Sequence, residues 1–350
     1  MTDLTPPIFD GHNDILLKLW RAEQEGRSPE TLFRDGAHGH LDLPRMKAGG
    51  FCGGFFALFA PSAGMSMDMS GDSYDLPLPP LMARDEALAA NIAQAGILLR
   101  LERLGHLRIL RRAADLPASI EAGEVSAILH LEGADCIDPE FRALDVLQGA
   151  GLRSLGPVWS RNNIWAHGAP FRFPSSPDTG PGLTDAGREL VRQCDARRIM
   201  IDLSHLTEAG FWDVAEVSER PLVATHSNVH ALCPHARNLT DRQLDAVKER
   251  GGMVGVNLAT GFLRADGKMD AEETLDALVA HFVYLVERLG EDCVGLGSDF
   301  DGARIPTPIK DVAGLPALRA ALRGAGFDGA VLEKLCWKNW ARVLGEIWGA

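Results

Sequence analysis

Short apolar runs closed by a polar or turn-forming residue punctuate the chain at eight places: 8–11, 51–59, 125–131, 152–158, 199–203, 221–225, 253–257 and 293–298. Several of them, ALFAP, AILHLEG, MIDLSH and VGVNL among them, are apolar nearly throughout instead of alternating, which predicts strands covered on both faces. Between the runs lie helical patterns at 80–105, 184–197, 207–218, 240–250, 270–289 and 329–347. Thr184, Thr207 and Thr240 stand where a hydroxyl can accept from the free amides of a first helical turn. Strand and helix in alternation predict parallel βα units. Polar residues close the first, third, fifth, sixth and eighth runs alike, whereas an open sheet concentrates its site at one switch point. The expected fold is therefore an α/β, TIM-type (β/α)8 barrel, with residues 1–350 as a single catalytic domain. The segment 61–79, PSAGMSMDMSGDSYDLPLP, interrupts the rhythm after the second run and reads as a candidate lid loop.

Charge and cysteine usage narrow the functional classes. A formal net charge of -13 opposes a phosphate-backbone partner or an anionic membrane surface, because both require clustered Lys and Arg. No nucleic acid and no membrane partner is expected. The six cysteines are dispersed, form no CxxC pair and read as small buried hydrophobes in a reducing compartment. No run approaches the roughly 18 uninterrupted apolar residues of a membrane span, and the N-terminus lacks a secretory pattern. The expected location is the cytoplasm.

The residues that close the runs carry the chemistry. His12 and Asp14 in IFDGHND share one side of an extended segment, since strand side chains alternate. Glu132 ends SAILHLE, His205 follows MIDLS, and His226 closes LVATH. A lone HxD pair is weak evidence, but a buried Glu without a cation would cost several kcal/mol. In a barrel all five converge on one rim. Three imidazoles and two carboxylates exceed what one zinc centre commonly uses, so the set predicts two ions sharing a carboxylate, with Glu132 as the bridge. Mixed nitrogen and oxygen donors suit Zn²⁺, and Mn²⁺ or Fe²⁺ also accept such a set. A water between two ions would lose its proton near neutral pH and act as a hydroxide nucleophile. Asp299, opening DFDG after the last run, is either a turn aspartate or a general base that relays the proton to a leaving amine. Asp301 reads as a turn residue, and His38 and His40 as exposed loop histidines. His106, His130 and His281 read as ordinary core or helix residues, and His230 and His235 as neighbours of the site.

Taken in order, IFDGHND, HLEGAD, DLSH, THSNVHALCPHARNLTD, GLGSDFDG and WKNWARVL resemble the successive blocks of the membrane dipeptidase (renal dipeptidase) family, from residue 8 to about residue 345. The resemblance implies a binuclear zinc site on a (β/α)8 barrel. His12 and Asp14 would bind one ion, His205 and His226 the other, and Glu132 would bridge them. It further implies Asp299 as the proton-transfer residue, Arg237 in HARNLTD as the clamp on a dipeptide's terminal carboxylate, and a homodimer. A guanidinium fork suits a carboxylate. Acceptance of a C-terminal D-amino acid follows from the same resemblance.

One position departs from the pattern. Where the family often has a His that polarises the scissile carbonyl, this chain has Trp159, which offers a single N–H and more bulk. Carbonyl activation then rests chiefly on the metals, or His167, Asn162 or Asn163 substitutes, or the preferred substrate differs. Two other readings stay open: a different binuclear barrel hydrolase (lactonase, deaminase or phosphotriesterase), and a non-catalytic metal-stabilised binding protein. The HxD pair and the Glu argue against the first, whose relatives usually carry HxH and a bridging Lys.

Overall fold

The structure, a computed structural model, describes residues 5–36, 39–62, 68–269, 272 and 275–349. Among the described residues, eight parallel strands form at the apolar runs: β1 (Ile8–Asn13), β2 (Phe51–Phe59), β3 (Ser126–Glu132), β4 (Leu152–Gly156), β5 (Met200–Ile201), β6 (Val223–Ala224), β7 (Met253–Val256) and β8 (Val294–Leu296). Their order in the sheet is β5-β4-β3-β2-β1-β8-β7-β6. The two ends of that order meet where Asp202 bridges to Val223 and the Leu203 N–H donates to the Val223 carbonyl at 2.9 Å. The result is a nearly closed eight-stranded TIM-type barrel, as the alternation predicts. Every strand residue but Arg153 is buried, which accounts for runs that are apolar on both faces.

The helices begin where hydroxyls can cap them. Thr184, Thr207 and Thr240 accept from the backbone N–H of Gly187, Gly210 and Gln243, and Thr240 with Gln243 closes a full capping box. The pattern at 80–105 becomes a helix at Arg84–Arg103, and that at 329–347 breaks into Gly329–Glu333, a π-helical turn at Lys334–Lys338, and Asn339–Trp348. Trp340 from this last piece is fully buried against Phe55 of the barrel, and its indole N–H donates to the Leu296 carbonyl at 3.2 Å.

Three strand glycines allow the rim to close tightly. A Cβ on Gly11, Gly255 or Gly297 would lie 2.3, 2.0 or 1.9 Å from the Thr225 carbonyl oxygen. Only residues without a side chain let β1, β7 and the end of β8 crowd around the segment that carries His226.

Candidate metal centre

Hydrogen bonds between the ends of β1 and β8 assemble the first part of the site. The buried Asp10 carboxylate accepts from the Ser298 N–H at 2.6 Å and its hydroxyl at 2.7 Å. The Asp299 N–H donates to the His12 carbonyl at 3.0 Å, and the Asp14 N–H to the Phe300 carbonyl at 2.8 Å. Asp299 itself takes a left-handed φ of 61°, tolerated by a short polar side chain, and accepts from Asn257 Nδ2 at 2.9 Å. Donor atoms of His12, Asp14 and Asp299 consequently lie within 4.8 Å of one another.

Glu132, at the end of β3, connects this group to the other side of the barrel. Its Oε2 is 3.7 Å from His12 Nε2, and its Oε1 is 3.0 Å from His205 Nε2 and 3.7 Å from His226 Nε2. His12, Glu132 and His226 form a second group with donor atoms within 4.8 Å. The six side chains that close the apolar runs thus meet at one rim.

Proton bookkeeping shows what the cluster lacks. The Thr225 hydroxyl donates its single proton to Asp202 Oδ2 at 2.6 Å, so its 2.8 Å contact with His226 Nδ1 requires an Nδ1–H. Arg237 Nη2 donates to His205 Nε2 at 3.2 Å, and His205 Nδ1 pairs with the Ser160 hydroxyl at 3.0 Å. Both Nε2 atoms therefore carry lone pairs, yet they stand 3.0 Å apart. His12 is fully buried with no hydrogen-bond partner on either ring nitrogen. Facing lone pairs, an orphaned imidazole and a buried carboxylate between them fit a cation and little else.

The electrostatics agree. Burial alone would hold His12 neutral, but the negative charges of Glu132, Asp14 and Asp299 outweigh it and raise its pKa to about 10. Burial pushes the carboxyls of Glu132 and Asp299 upward, and pushes His205 and His226 well below the ordinary histidine range, helped by nearby Arg237 and His12.

A cavity of about 340 Å³ opens over the cluster. Phe59, Trp159, Phe171 and Phe262 give it an aromatic wall, and Arg237 and Asp299 reach it from the segments that follow β6 and β8. Arg237 is buried, its Nε and Nη1 lack partners, and burial lowers its pKa to about 10. Its guanidinium lies 5.6 Å from the Phe262 ring centroid. Trp159 packs its ring 5.0 Å from Phe59 and 5.8 Å from His205. None of His167, Asn162 and Asn163 lines the cavity; the two asparagines are spent on backbone groups of their own loop. No side chain among them substitutes at the position of Trp159.

Over its whole length the chain matches known relatives. The family model described as "Membrane dipeptidase (Peptidase family M19)" matches residues 4–348. The chain belongs to that family. It is a metallodipeptidase of peptidase family M19. One solved structure, described as dipeptidase AC, a metallopeptidase of family M19, is 52% identical with a TM-score of 0.94, covering 99% of this chain and 100% of that one. A metallopeptidase from Rhodobacter sphaeroides, liganded with a phosphinate mimic of the dipeptide L-Ala-D-Ala, is 52% identical with a TM-score of 0.95, covering 98% and 100%. The dipeptidase tcpJ of Claviceps purpurea (strain 20.1) is 27% identical over 344 residues, 97% of this chain and 76% of that protein.

Sequence reasoning missed several residues of this M19 site. Asp202 through Thr225 sets the tautomer of His226, Ser160 orients the His205 ring, and Asp10 with Ser298 aligns β1 on β8. The clue lay in MIDLSH, where Asp202 is a carboxylate inside an apolar run. One histidine reading holds with an addition, and another needs correction. His130 is a core residue, but it lies at the base of the cluster, its ring edge-on to His12 at 5.6 Å and its Nε2 3.6 Å from Asp202. His40 is half-buried, not exposed: its Nδ1 accepts from the Asp301 N–H at 2.9 Å and its own N–H donates to Asp301 Oδ1 at 2.7 Å. His38 lies outside the described residues. Asp301 sits in the turn as expected, with φ 69°. His235 accepts from the Arg237 N–H at 3.0 Å, whereas His230 turns away to the Ser175 carbonyl. All six cysteines are buried and free. Among the described residues no helix is long and apolar enough to cross a membrane.

Proposed function

We propose that this M19 metallodipeptidase hydrolyses dipeptides, including those ending in a D-amino acid, with two zinc ions held by five side chains. His12 and Asp14 would hold one ion, His205 and His226 the other, and Glu132 would serve both. When bound, such ions supply a water acidified to near-neutral pKa and Lewis-acid polarisation of the scissile carbonyl. The chain's own residues do the rest. Asp299, at the cluster and steadied by Asn257, accepts the proton of the attacking water and delivers it to the departing amine. Arg237 receives the terminal carboxylate through the guanidinium nitrogens that lack partners. Trp159 and its aromatic neighbours exclude water from the reacting end. Residues 1–350 act as one catalytic unit, with segment 61–79, which contributes Pro61, Ser62 and Met69 to the cavity lining, as its cover.

The observation that carries this reading is Arg237: a buried cation with open donors, in contact with the histidine that borders the metal cluster. A guanidinium this close to the cluster suits the terminal carboxylate of a short substrate, which is what favours a dipeptidase over a longer-chain peptidase. The phosphinate mimic of L-Ala-D-Ala in the Rhodobacter sphaeroides relative supports a D-configured second residue.

The test is a panel of Xaa-L-Xaa and Xaa-D-Xaa dipeptides, with lactones and esters beside them, run on protein of measured metal content and on Asp299→Asn. The expected result is dipeptide turnover, with kcat in the variant lowered by about 10²- to 10⁴-fold and the metal retained. Turnover of esters or lactones alone would reject the reading, and an Asp299→Asn variant with full activity would remove Asp299 from it.

A further inference from the structure

The cavity has a second cationic end that the dipeptidase reading leaves unexplained. The helix Ile15–Gln24 leaves β1 directly at Asp14, and Asp14, Leu17, Lys18 and Arg21 along it all line the cavity. Lys18 and Arg21 are three residues apart and so share one helix face. In the sheet order β1 is separated from β6 by β8 and β7 on one side and by β2 to β5 on the other. The face bearing Lys18 and Arg21 therefore lines the cavity from a different part of the rim than Arg237, which lies on the loop after β6.

Neither cation is held in place by the protein. Among the described residues no hydrogen bond or ion pair engages either side chain, and the Lys18 ammonium acts only through space on nearby Asp301 and His40. In a chain of net charge -13, Arg34, Arg45, Arg100 and Arg111 all lie against carboxylates. Of the acidic groups lining the same cavity, Asp14, Glu132 and Asp299 sit in the cluster, and Asp301 accepts from the His40 N–H at 2.7 Å through one oxygen and faces the Lys18 charge without pairing to it. Lys18 is half-buried and Arg21 exposed, which places them at the mouth, within reach of a side chain projecting outward.

We infer that this end is a subsite for an anionic side chain on the first residue of the dipeptide, so that Glu-Xaa substrates are preferred. The inference rests on the dipeptidase reading above, because Arg237 must hold the second residue's carboxylate for the first residue to reach Lys18 and Arg21. A carboxylate there gains two counter-charges, while a cationic side chain meets two like charges beside its own ammonium. Contacts at a half-open rim are individually weak, so two together give a preference of about tenfold.

The experiment compares Glu-Ala with neutral Met-Ala of similar length, cationic Lys-Ala, and Ala-Ala, on the metal-loaded enzyme at low and high salt. Glu-Ala is expected to exceed Met-Ala in kcat/KM by about tenfold, chiefly through KM, with the gap shrinking as salt rises. The Lys18→Met/Arg21→Met double variant should bring the Glu-Ala to Met-Ala ratio towards one. Lys18→Glu/Arg21→Glu should turn the preference towards Lys-Ala. Hydrolysis of Ala-Ala with Glu-Ala and Met-Ala indistinguishable would overturn the subsite alone, as would a ratio that persists in the double Met variant. Failure to cleave any of the four would overturn the dipeptidase reading and the subsite with it.

Discussion

Thr225 shows how a residue outside the candidate ligands can orient one of them. Its hydroxyl proton is committed to Asp202, which forces the His226 proton onto Nδ1 and leaves Nε2 open toward Glu132 and His205. Thr225→Val keeps the shape and deletes the relay, so the His226 ring loses both its tautomer bias and its orientation. Metal affinity is expected to fall by about 10- to 100-fold while the fold persists, as read by metal titration against a competing chelator. Unchanged affinity would mean that Glu132 and the packing around His226 suffice. At this scale the sequence was legible wherever a polar side chain closed an apolar run, since a strand end at a barrel rim has few destinations. Asp10, Thr225, Ser160 and Ser298 were not legible, because a single hydroxyl or carboxylate near a strand end looks the same whether it caps a turn or steers an imidazole.

Elements show the same division. The eight strands stand where the apolar runs predict them, although the later ones shrink, as at Met200–Ile201 within 199–203, because the segments beyond leave the ladder to carry the site. The helix Ile15–Gln24 escaped the pattern because only Asp14 separates its start from the end of β1, too short a break to read as a turn. The described part of 61–79 is not free-standing. Tyr74 donates its hydroxyl to the Gly267 carbonyl at 2.8 Å and packs on Phe173, while the Met269 N–H donates to the Met69 carbonyl at 3.2 Å. The Lys268–Asp72 pair beside them is solvent-bathed and adds little. Tyr74→Phe is accordingly expected to loosen the segment by about 1 kcal/mol, seen as faster hydrogen exchange across 68–79, whereas Lys268→Ala should leave exchange nearly unchanged. The opposite ranking would place the hold in the ion pair.

At the level of the whole molecule, the loops after β6 and β7 must keep their relative positions, since Arg237 follows one and Asn257 and Phe262 belong to the other. His281, on the outer helix Leu275–Leu289, is one of their ties: Nδ1 accepts from the Val229 N–H at 3.1 Å and Nε2 donates to the Leu263 carbonyl at 3.0 Å. Accepting at Nδ1 requires the neutral ring, and burial lowers its pKa to about 4. A histidine whose folded pKa lies below its unfolded value of about 6.5 binds fewer protons folded than unfolded, so its contribution is whole above pH 6.5 and is lost as the pH falls towards 4. Between pH 7 and pH 5 the loss is on the order of 2 kcal/mol. His40 and His130, also pushed down to about 4 by burial, add to the acid sensitivity, so the parent protein alone cannot isolate the effect. His281→Gln keeps an acceptor and a donor but has nothing to protonate. Its unfolding free energy, measured in urea at a series of pH values, should fall less steeply than the parent's below pH 6.5, whatever the offset at pH 7.5. Parallel curves would show that the tie between the two loops survives protonation, and that acid sensitivity resides at the barrel rim.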